Sequence, residues 1–268
     1  MLKGSSPTAR LDAALLLEHA TGHARAEQIV RGDSAVAPQQ HERFAQLCSR
    51  RASGVPIAYL TGRAWFYGRE FIVDERVLVP RPETEHLVEA ALAFAASRGA
   101  LAIFEAGVGS GIIACTIAAE LPHAQVVGTE ASADALAVAR ENARRLSVNT
   151  RCRFACSSGA PPGAPEQYDM IVANLPYIPT VEVPRRPSPA AFEPVTALDG
   201  GPDGLDAYRT LLHWVPPRLR RPGVMLLETA PPVAPELYQL VAHALPGARL
   251  DYVRDYAGHV RVLRAETA

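Results

Sequence analysis

Cysteine, long apolar runs and net charge are all scarce in this sequence of 268 residues, and each scarcity excludes a class of protein. The four cysteines form no C-x-x-C pair, so we expect neither a metal site nor a disulfide framework. No apolar run approaches the roughly 18 residues of a membrane-spanning helix, and the first residues lack the apolar stretch of a secretion signal. The net charge of −1 is too small for a protein that coats nucleic acid. We therefore expect a cytoplasmic protein with no membrane segment. We also expect a monomer.

The first part of the chain has a helical pattern. Apolar residues recur at helical spacing from Leu11 towards Gly22, and Pro38 is placed to open a second helix. Alternating apolar and polar residues then predict a β-hairpin over 65–80. We predict a small helical domain, residues 1–64, which either recognises a substrate or only caps its neighbour, with the hairpin as the joint.

From residue 81 to the end, strand and helix patterns alternate, so we predict one α/β domain over 81–268. Strands are predicted at 101–105, 125–129, 151–155, 170–173, 224–227, 250–254 and 260–264. Such alternation predicts a mostly parallel sheet with helices on both faces. Ligands bind such sheets outside the carboxyl ends of the strands, so the residues at those ends are the candidates for a site.

The first strand of this domain ends in an acid and a glycine-rich loop. Glu105 precedes the loop, whose residues are Gly107, Val108, Gly109, Ser110 and Gly111. Its G-x-G-x-G spacing differs from the G-x-G-x-x-G of dinucleotide sites, and the acid would repel a pyrophosphate but attract a cation. This argues against a nicotinamide dehydrogenase. The alternative is a tight turn that binds no ligand.

The second strand ends in Glu130, 19 residues beyond Gly111. An acid at about this spacing accepts hydrogen bonds from ribose hydroxyls, although it could also be an exposed acid at a helix start. The two strand ends together indicate a nucleoside with a positively charged tail. S-adenosylmethionine fits that description, and we predict it as the cofactor.

The fourth strand is followed by Asn174, Leu175, Pro176 and Tyr177, which we predict to be catalytic. The Asn174 side-chain oxygen and the Leu175 carbonyl can each accept a hydrogen bond from a planar NH₂ group, Pro176 stiffens the turn, and the Tyr177 ring can stack on a planar group. Asn174 would also face the methyl donor. The alternative is an ordinary Asn-Pro turn.

With these residues the sequence resembles the release-factor glutamine methyltransferases, the HemK/PrmC family. The matching stretches run in order along nearly the whole chain: 59–62, 65–68, 78–85, 105–111, 135–142, 174–179, 192–194, 197–201, 203–206 and 256–258. The resemblance implies a helical substrate-recognition domain and a Rossmann-like class I methyltransferase domain that uses S-adenosylmethionine. It further implies that the side-chain amide of the glutamine in the Gly-Gly-Gln motif of class I peptide-chain release factors is methylated.

The sequence departs from the family at several positions. The family usually has Asp where this chain has Glu105 and Glu130, and the longer acid keeps the charge. It usually has an acid and an aromatic residue near the adenine, where this chain has Ser158 and Gly159, and a proline in place of Leu175. Gly159 stays a cofactor candidate. Two alternatives remain open: adenine N6 of RNA or DNA as the acceptor, and a non-catalytic relative that binds the cofactor weakly.

Charge does not decide between these acceptors. Residues 1–64 carry a net charge of +3 and residues 65–268 carry −4. Enzymes that act on nucleic acid generally present a more basic face to the phosphates. The modest basic excess therefore favours a protein substrate without excluding RNA.

Overall fold

The computed structural model describes residues 2, 4, 6–32, 34–159, 166–186 and 188–268. The α-helices in these ranges are α1 Ala9–Thr21, α2 Arg25–Arg31, α3 Pro38–Ala52, α4 Ile57–Thr61, α5 Glu85–Ala95, α6 Ile112–Glu120, α7 Ala133–Arg145, α8 Asp206–Trp214 and α9 Ala234–Ala244. The β-strands are β1 Arg63–Phe66, β2 Arg69–Ile72, β3 Ala102–Ala106, β4 Gln125–Glu130, β5 Cys152–Cys156, β6 Tyr168–Ala173, β7 Leu219–Glu228, β8 Arg249–Arg254 and β9 Val260–Thr267. None of the helices in these ranges has the length and apolar character needed to cross a lipid bilayer.

The helices α1, α3 and α4 pack around an apolar cluster that includes Leu16, Leu47 and Leu60. Beside this cluster a buried Arg51 guanidinium pairs with the Asp12 carboxylate at 2.7 Å, which joins α3 to α1. The prediction of helices in this region is correct for α1 and α3. It omitted α2 and α4, which are too short for a helical period to be recognised.

A two-stranded hairpin follows, as the alternating pattern predicts, but its strands lie at 63–72. Tyr67 and Gly68 form the turn with φ of 49° and 71°, and two positive φ angles match the right-handed twist of a hairpin with a two-residue loop. The Tyr67 N–H donates to the Glu85 carboxylate at 2.8 Å, and the Ile72 N–H donates to Asn142 Oδ1 at 2.8 Å. The hairpin is thereby bound to α5 and α7 of the following sheet region.

The remaining strands form one seven-stranded sheet in the order β5-β4-β3-β6-β7-β9-β8. The pairs from β5 to β7 are parallel, and β9 is antiparallel to both β7 and β8. The predicted mixed α/β fold with a mostly parallel sheet is confirmed. The chain places β4 and β5 on one side of β3 and then returns to place β6 on the other side, so the strand order reverses at β3. The carboxyl ends of β3 and β6 therefore border the crevice where such sheets bind ligands.

Apolar clusters cover both faces of this sheet, as the alternation of strand side chains requires. Ile103 and Met170 face a cluster with α5 and α6, while Phe104 and Ile171 face a cluster with α8 and α9. Helix α6 is buried along almost its whole length from Ile112 to Ala118. The strand ends are thus supported by a tightly packed helix.

Candidate functional site

A cavity of about 600 Å³ opens at the carboxyl ends of β3, β4 and β6. Its walls come from residues at and after the ends of β3, β4, β5 and β6, from the stretch between the hairpin and α5, from a segment that leads into α8, and from α8 itself. The location is the one that the sheet order predicts for a ligand site.

The glycine loop after β3 forms one wall of this cavity. Gly107, Gly109 and Gly111 have φ of 72°, 54° and 83°, a backbone region that other residues rarely adopt. The Gly107 N–H donates to the Thr129 carbonyl at 2.8 Å, so the loop is attached to the end of β4. A Cβ on Gly107 would lie 2.8 Å from a Leu175 methyl carbon, which could move, so it is the positive φ that favours glycine there. Val108 and Ser110 also line the cavity, whereas Gly111 begins α6 and faces Ala139.

Glu105 lies at the base of the cavity and is 0% exposed. Its Oε2 accepts the Ala114 N–H of α6 at 2.9 Å. Its Oε1 has no hydrogen-bond partner within the described ranges. Burial raises the pKa of this carboxyl group well above its usual range. A buried oxygen without a partner on a cavity wall suits a cationic or N–H-bearing ligand. Such a ligand would donate a hydrogen bond to the oxygen and favour the ionised form of the carboxyl group.

Glu130 ends β4 on the same side. Its Oε2 accepts the Gly109 N–H at 2.9 Å and its Oε1 accepts the Ser132 N–H at 3.0 Å. Ser132 in turn caps α7, since its Oγ accepts the Ala135 N–H at 3.2 Å. The carboxylate is therefore held rigidly at the cavity wall. Each of its oxygens retains capacity to accept one more hydrogen bond.

Asn174, Leu175 and Pro176 follow β6 and line the cavity beside Gly107 of the glycine loop. The Asn174 Nδ2 donates to Thr84 Oγ1 at 3.3 Å, and its Oδ1 has no hydrogen-bond partner among the residues that the structure describes. The Leu175 carbonyl receives only a long contact, 3.4 Å, from the Tyr208 hydroxyl. Two acceptors are thus available side by side.

Tyr177 and Gly159 occupy different surroundings from the other predicted site residues. Tyr177 packs against the apolar cluster beneath α8 and is not among the residues that line the cavity. Its burial and the nearby Glu228 carboxylate raise the pKa of its hydroxyl. Gly159 also lies outside the lining, which Ser157 and Ser158 form instead. The Gly159 N–H donates to Ser157 Oγ at 3.0 Å, at the last residue described before position 166.

A second glycine-rich segment, residues 198–204, packs against the turn after β6 and is hydrogen-bonded to it. The Ile178 N–H donates to the Leu198 carbonyl at 3.1 Å, and the Gly200 N–H donates to the Ile178 carbonyl at 2.8 Å. A Cβ on Gly200 would lie 2.7 Å from the Pro176 carbonyl oxygen, and one on Gly204 would overlap the Tyr177 carbonyl oxygen. The sequence marks this segment as a matching motif, but no local pattern indicates that it contacts the turn.

The stretch before α5 is attached to the segment that leads into α8. Glu193 is buried and its carboxylate accepts the Val79 N–H at 3.1 Å while it pairs with the Arg81 guanidinium. This contact brings together two cavity walls that are more than 100 residues apart in the chain. It also gives the two matching motifs 78–85 and 192–194 a shared structural role.

Comparisons with known proteins cover nearly the whole chain. A family profile described as the PrmC N-terminal domain matches residues 1–62, and one described as the methyltransferase small domain matches residues 86–184. The release factor glutamine methyltransferase of Moorella thermoacetica is 40% identical over 257 residues, which are 96% of this chain and 90% of that protein. The protein of the same name from Geobacter sulfurreducens is 41% identical over 221 residues, 82% of this chain and 76% of that protein.

A solved structure agrees with the fold. A crystal structure of a methyltransferase from Pyrococcus furiosus superposes with a TM-score of 0.55 at 18% identity, over 85% of this chain and 98% of that chain. At this low identity the likeness shows the fold alone.

Proposed function

The chain belongs to the family of release factor glutamine methyltransferases, and we propose from this membership that it methylates the glutamine of the Gly-Gly-Gln motif in class I peptide-chain release factors. The observation that carries the proposal is that Asn174, whose Oδ1 has no partner among the described residues, and Leu175, whose carbonyl receives only a 3.4 Å contact, both line the cavity. Residues 1–64 would recognise the release factor, 65–80 would join the domains, and 81–268 would carry the reaction. The enzyme would act as a monomer in the cytoplasm.

The cavity fits S-adenosylmethionine as the methyl donor. The unpartnered Glu105 oxygen suits the ammonium group, the Glu130 carboxylate suits the ribose hydroxyls, and the glycine loop permits close approach of its backbone. Ser157 and Ser158, which line the cavity, would border the adenine, with Gly159 adjoining them. When bound, this cofactor supplies an electrophilic methyl group carried on a sulfonium.

The protein's own task is to position the acceptor amide. A primary amide nitrogen is a weak nucleophile because its lone pair is delocalised into the carbonyl. Asn174 Oδ1 and the Leu175 carbonyl would each accept one N–H, which orients the nitrogen towards the methyl donor. As positive charge develops on the nitrogen, both hydrogen bonds strengthen, so these acceptors stabilise the transition state more than the bound substrate.

A transfer experiment tests the proposed activity. The protein is incubated with S-adenosylmethionine that carries a labelled methyl group and, in separate reactions, with a class I release factor, total RNA and DNA. We expect label on the release factor and none on the same factor with the motif glutamine replaced by alanine. Label on adenine N6 of RNA or DNA would instead support the alternative acceptor. Binding of the cofactor without transfer to any acceptor would support a non-catalytic relative.

Substitution of Glu130 tests the cofactor site. Glu130→Ala should raise the Kd for S-adenosylmethionine about 10- to 100-fold, since a hydrogen bond to a charged group contributes about 1.5–3 kcal/mol. Isothermal titration calorimetry measures this directly. Glu236→Ala is the matched control, because Glu236 is an exposed acid in the first turn of α9. An unchanged Kd for the Glu130 variant would refute its assignment to the ribose.

A further inference from the structure

A buried carboxyl group that the mechanism above does not use lies beside the Asn174 turn. Glu228 ends β7 and is 2% exposed. Strand β7 is parallel to β6, and Leu227 pairs with Ala173. Glu228 and Asn174 therefore follow directly after paired positions at the carboxyl ends of neighbouring strands. The Glu228 Oε2 has no hydrogen-bond partner among the residues described.

Thr84 connects this carboxyl group to the Asn174 side chain. Its hydroxyl is buried and accepts the Asn174 Nδ2 at 3.3 Å, and it is near enough to the Glu228 carboxyl group to lower the pKa of that group. A hydroxyl has one hydrogen to donate, and an ionised carboxylate can only accept. With Glu228 ionised, Thr84 therefore donates to the carboxylate and presents a lone pair to Asn174. The amide must turn its NH₂ group to Thr84, which leaves Oδ1 for the cavity.

Resting on the function proposed above, we propose that Glu228 and Thr84 are positioning residues that direct the acceptor oxygen of Asn174 at the substrate amide. Protonation of Glu228 reverses the arrangement. The protonated carboxyl group donates to Thr84 Oγ1, the Thr84 hydrogen becomes free to bond Asn174 Oδ1, and the amide turns its NH₂ group to the cavity. Two NH₂ groups then face each other, and the substrate amide loses its acceptor.

The surroundings of Glu228 place its titration within the range of an ordinary assay. Burial and the Glu83 carboxylate raise its pKa, while the Thr84 hydroxyl, the Arg261 guanidinium and the Tyr177 hydroxyl oppose them, so that the pKa is about 7. The Tyr208 hydroxyl of α8 faces the same residue and donates to its backbone carbonyl. A glutamine side-chain amide does not titrate near this pH, so an acid limb in the rate there would come from the enzyme or its cofactor.

The test is the pH dependence of kcat with both substrates saturating. For the wild type, kcat should fall about tenfold between pH 8 and pH 6, because a group one unit below its pKa is only about one-tenth ionised. Glu228→Gln should abolish this acid limb. Thr84→Val should lower kcat about tenfold at pH 8 and also abolish the limb, since a net hydrogen bond of about 1–1.5 kcal/mol to the amide is lost. Thr84→Ser keeps the hydroxyl and should keep the wild-type profile.

Controls distinguish a loss of acceptor positioning from unfolding of the variant and from weaker binding of the cofactor. Glu236→Gln, a change at an exposed position on α9, should leave the profile unchanged. The Kd for S-adenosylmethionine should stay at its wild-type value in all the variants, and thermal unfolding should show that each is folded at pH 8. If Glu228→Gln retains the acid limb, or Thr84→Ser loses it, the inference is overturned although the proposed activity stands.

A spectroscopic readout needs no substrate and so remains decisive if the proposed activity fails. The Asn174 side-chain NH₂ resonances, assigned by their absence in Asn174→Ala, should shift with a midpoint near pH 7 in the wild type. The shift should vanish in Glu228→Gln. A midpoint that persists in that variant would refute the coupling. Absence of methyl transfer by the wild type at every pH would refute the proposed function, whatever the NMR titration shows.

Discussion

Asn174→Ala should lower kcat for glutamine methylation about 10²–10³-fold, the loss typical when one preorganised hydrogen-bonding group is removed from a developing charge. The reason lies in the geometry of the turn after β6. Asn174 lines the cavity next to Leu175 in the chain, and its Oδ1 is an acceptor with no partner among the described residues. Alanine removes one of the two acceptors that aim the substrate nitrogen, while the neighbouring carbonyl remains.

The measurement is single-turnover methyl transfer to a release factor, together with calorimetry of cofactor binding. The fall in kcat should exceed the rise in the Kd for S-adenosylmethionine, because the glycine loop, Glu105 and Glu130 are attached to β3 and β4 and do not depend on Asn174. Asn149→Ala is a matched control at an exposed position. Near-wild-type transfer by Asn174→Ala would rule out amide positioning by this residue.

The sequence alone is sufficient to predict the parts of the site that come from strand ends. Glu105, Glu130 and Asn174 each end an apolar run, and the carboxyl ends of neighbouring parallel strands must meet at one edge of the sheet. The structure brings these three residues to the same cavity. The fold class follows from the same alternation of strands and helices.

The contacts between distant residues that support the site could not be predicted in this way. Thr84 lies 90 positions before Asn174 in the chain. Glu228 directly follows the predicted strand 224–227, so its position at a strand end could be read from the sequence, but no local pattern indicates that it lies near Thr84. The sequence predicts this strand only over 224–227, whereas β7 begins at Leu219 and includes Pro222. Contacts of this kind depend on the packing of distant segments, and no periodic pattern in the sequence reports them.

The second large effect is expected at Gly204. Because it has no side chain, the backbone of the 198–204 segment can pack directly against the backbone at Tyr177. Gly204→Ala should lower the free energy of unfolding by about 2–5 kcal/mol, of which about 1–2 kcal/mol is left-handed strain and the rest is overpacking. Gly204 has a φ of 80°, and an added Cβ would overlap the Tyr177 carbonyl oxygen and lie 3.2 Å from Val233 Cγ1. Either the 198–204 segment or the turn that carries Asn174 must move. Urea denaturation measures the stability loss.

Activity distinguishes displacement of the turn from a general loss of stability. A displacement of the acceptor pair by about 1 Å should reduce methyl transfer about 100-fold under conditions where the variant is still folded. Gly247→Ala is the matched control, because Gly247 has a φ of 82° with no atom within 4 Å of an added Cβ. It should show the strain alone, about 1–2 kcal/mol, with normal kcat. Equal losses of stability and activity in the two variants would show that contact with the Tyr177 carbonyl does not hold the turn. If only Gly204→Ala loses methyl transfer, the position of the acceptors depends on this backbone contact as well as on their chemical identity.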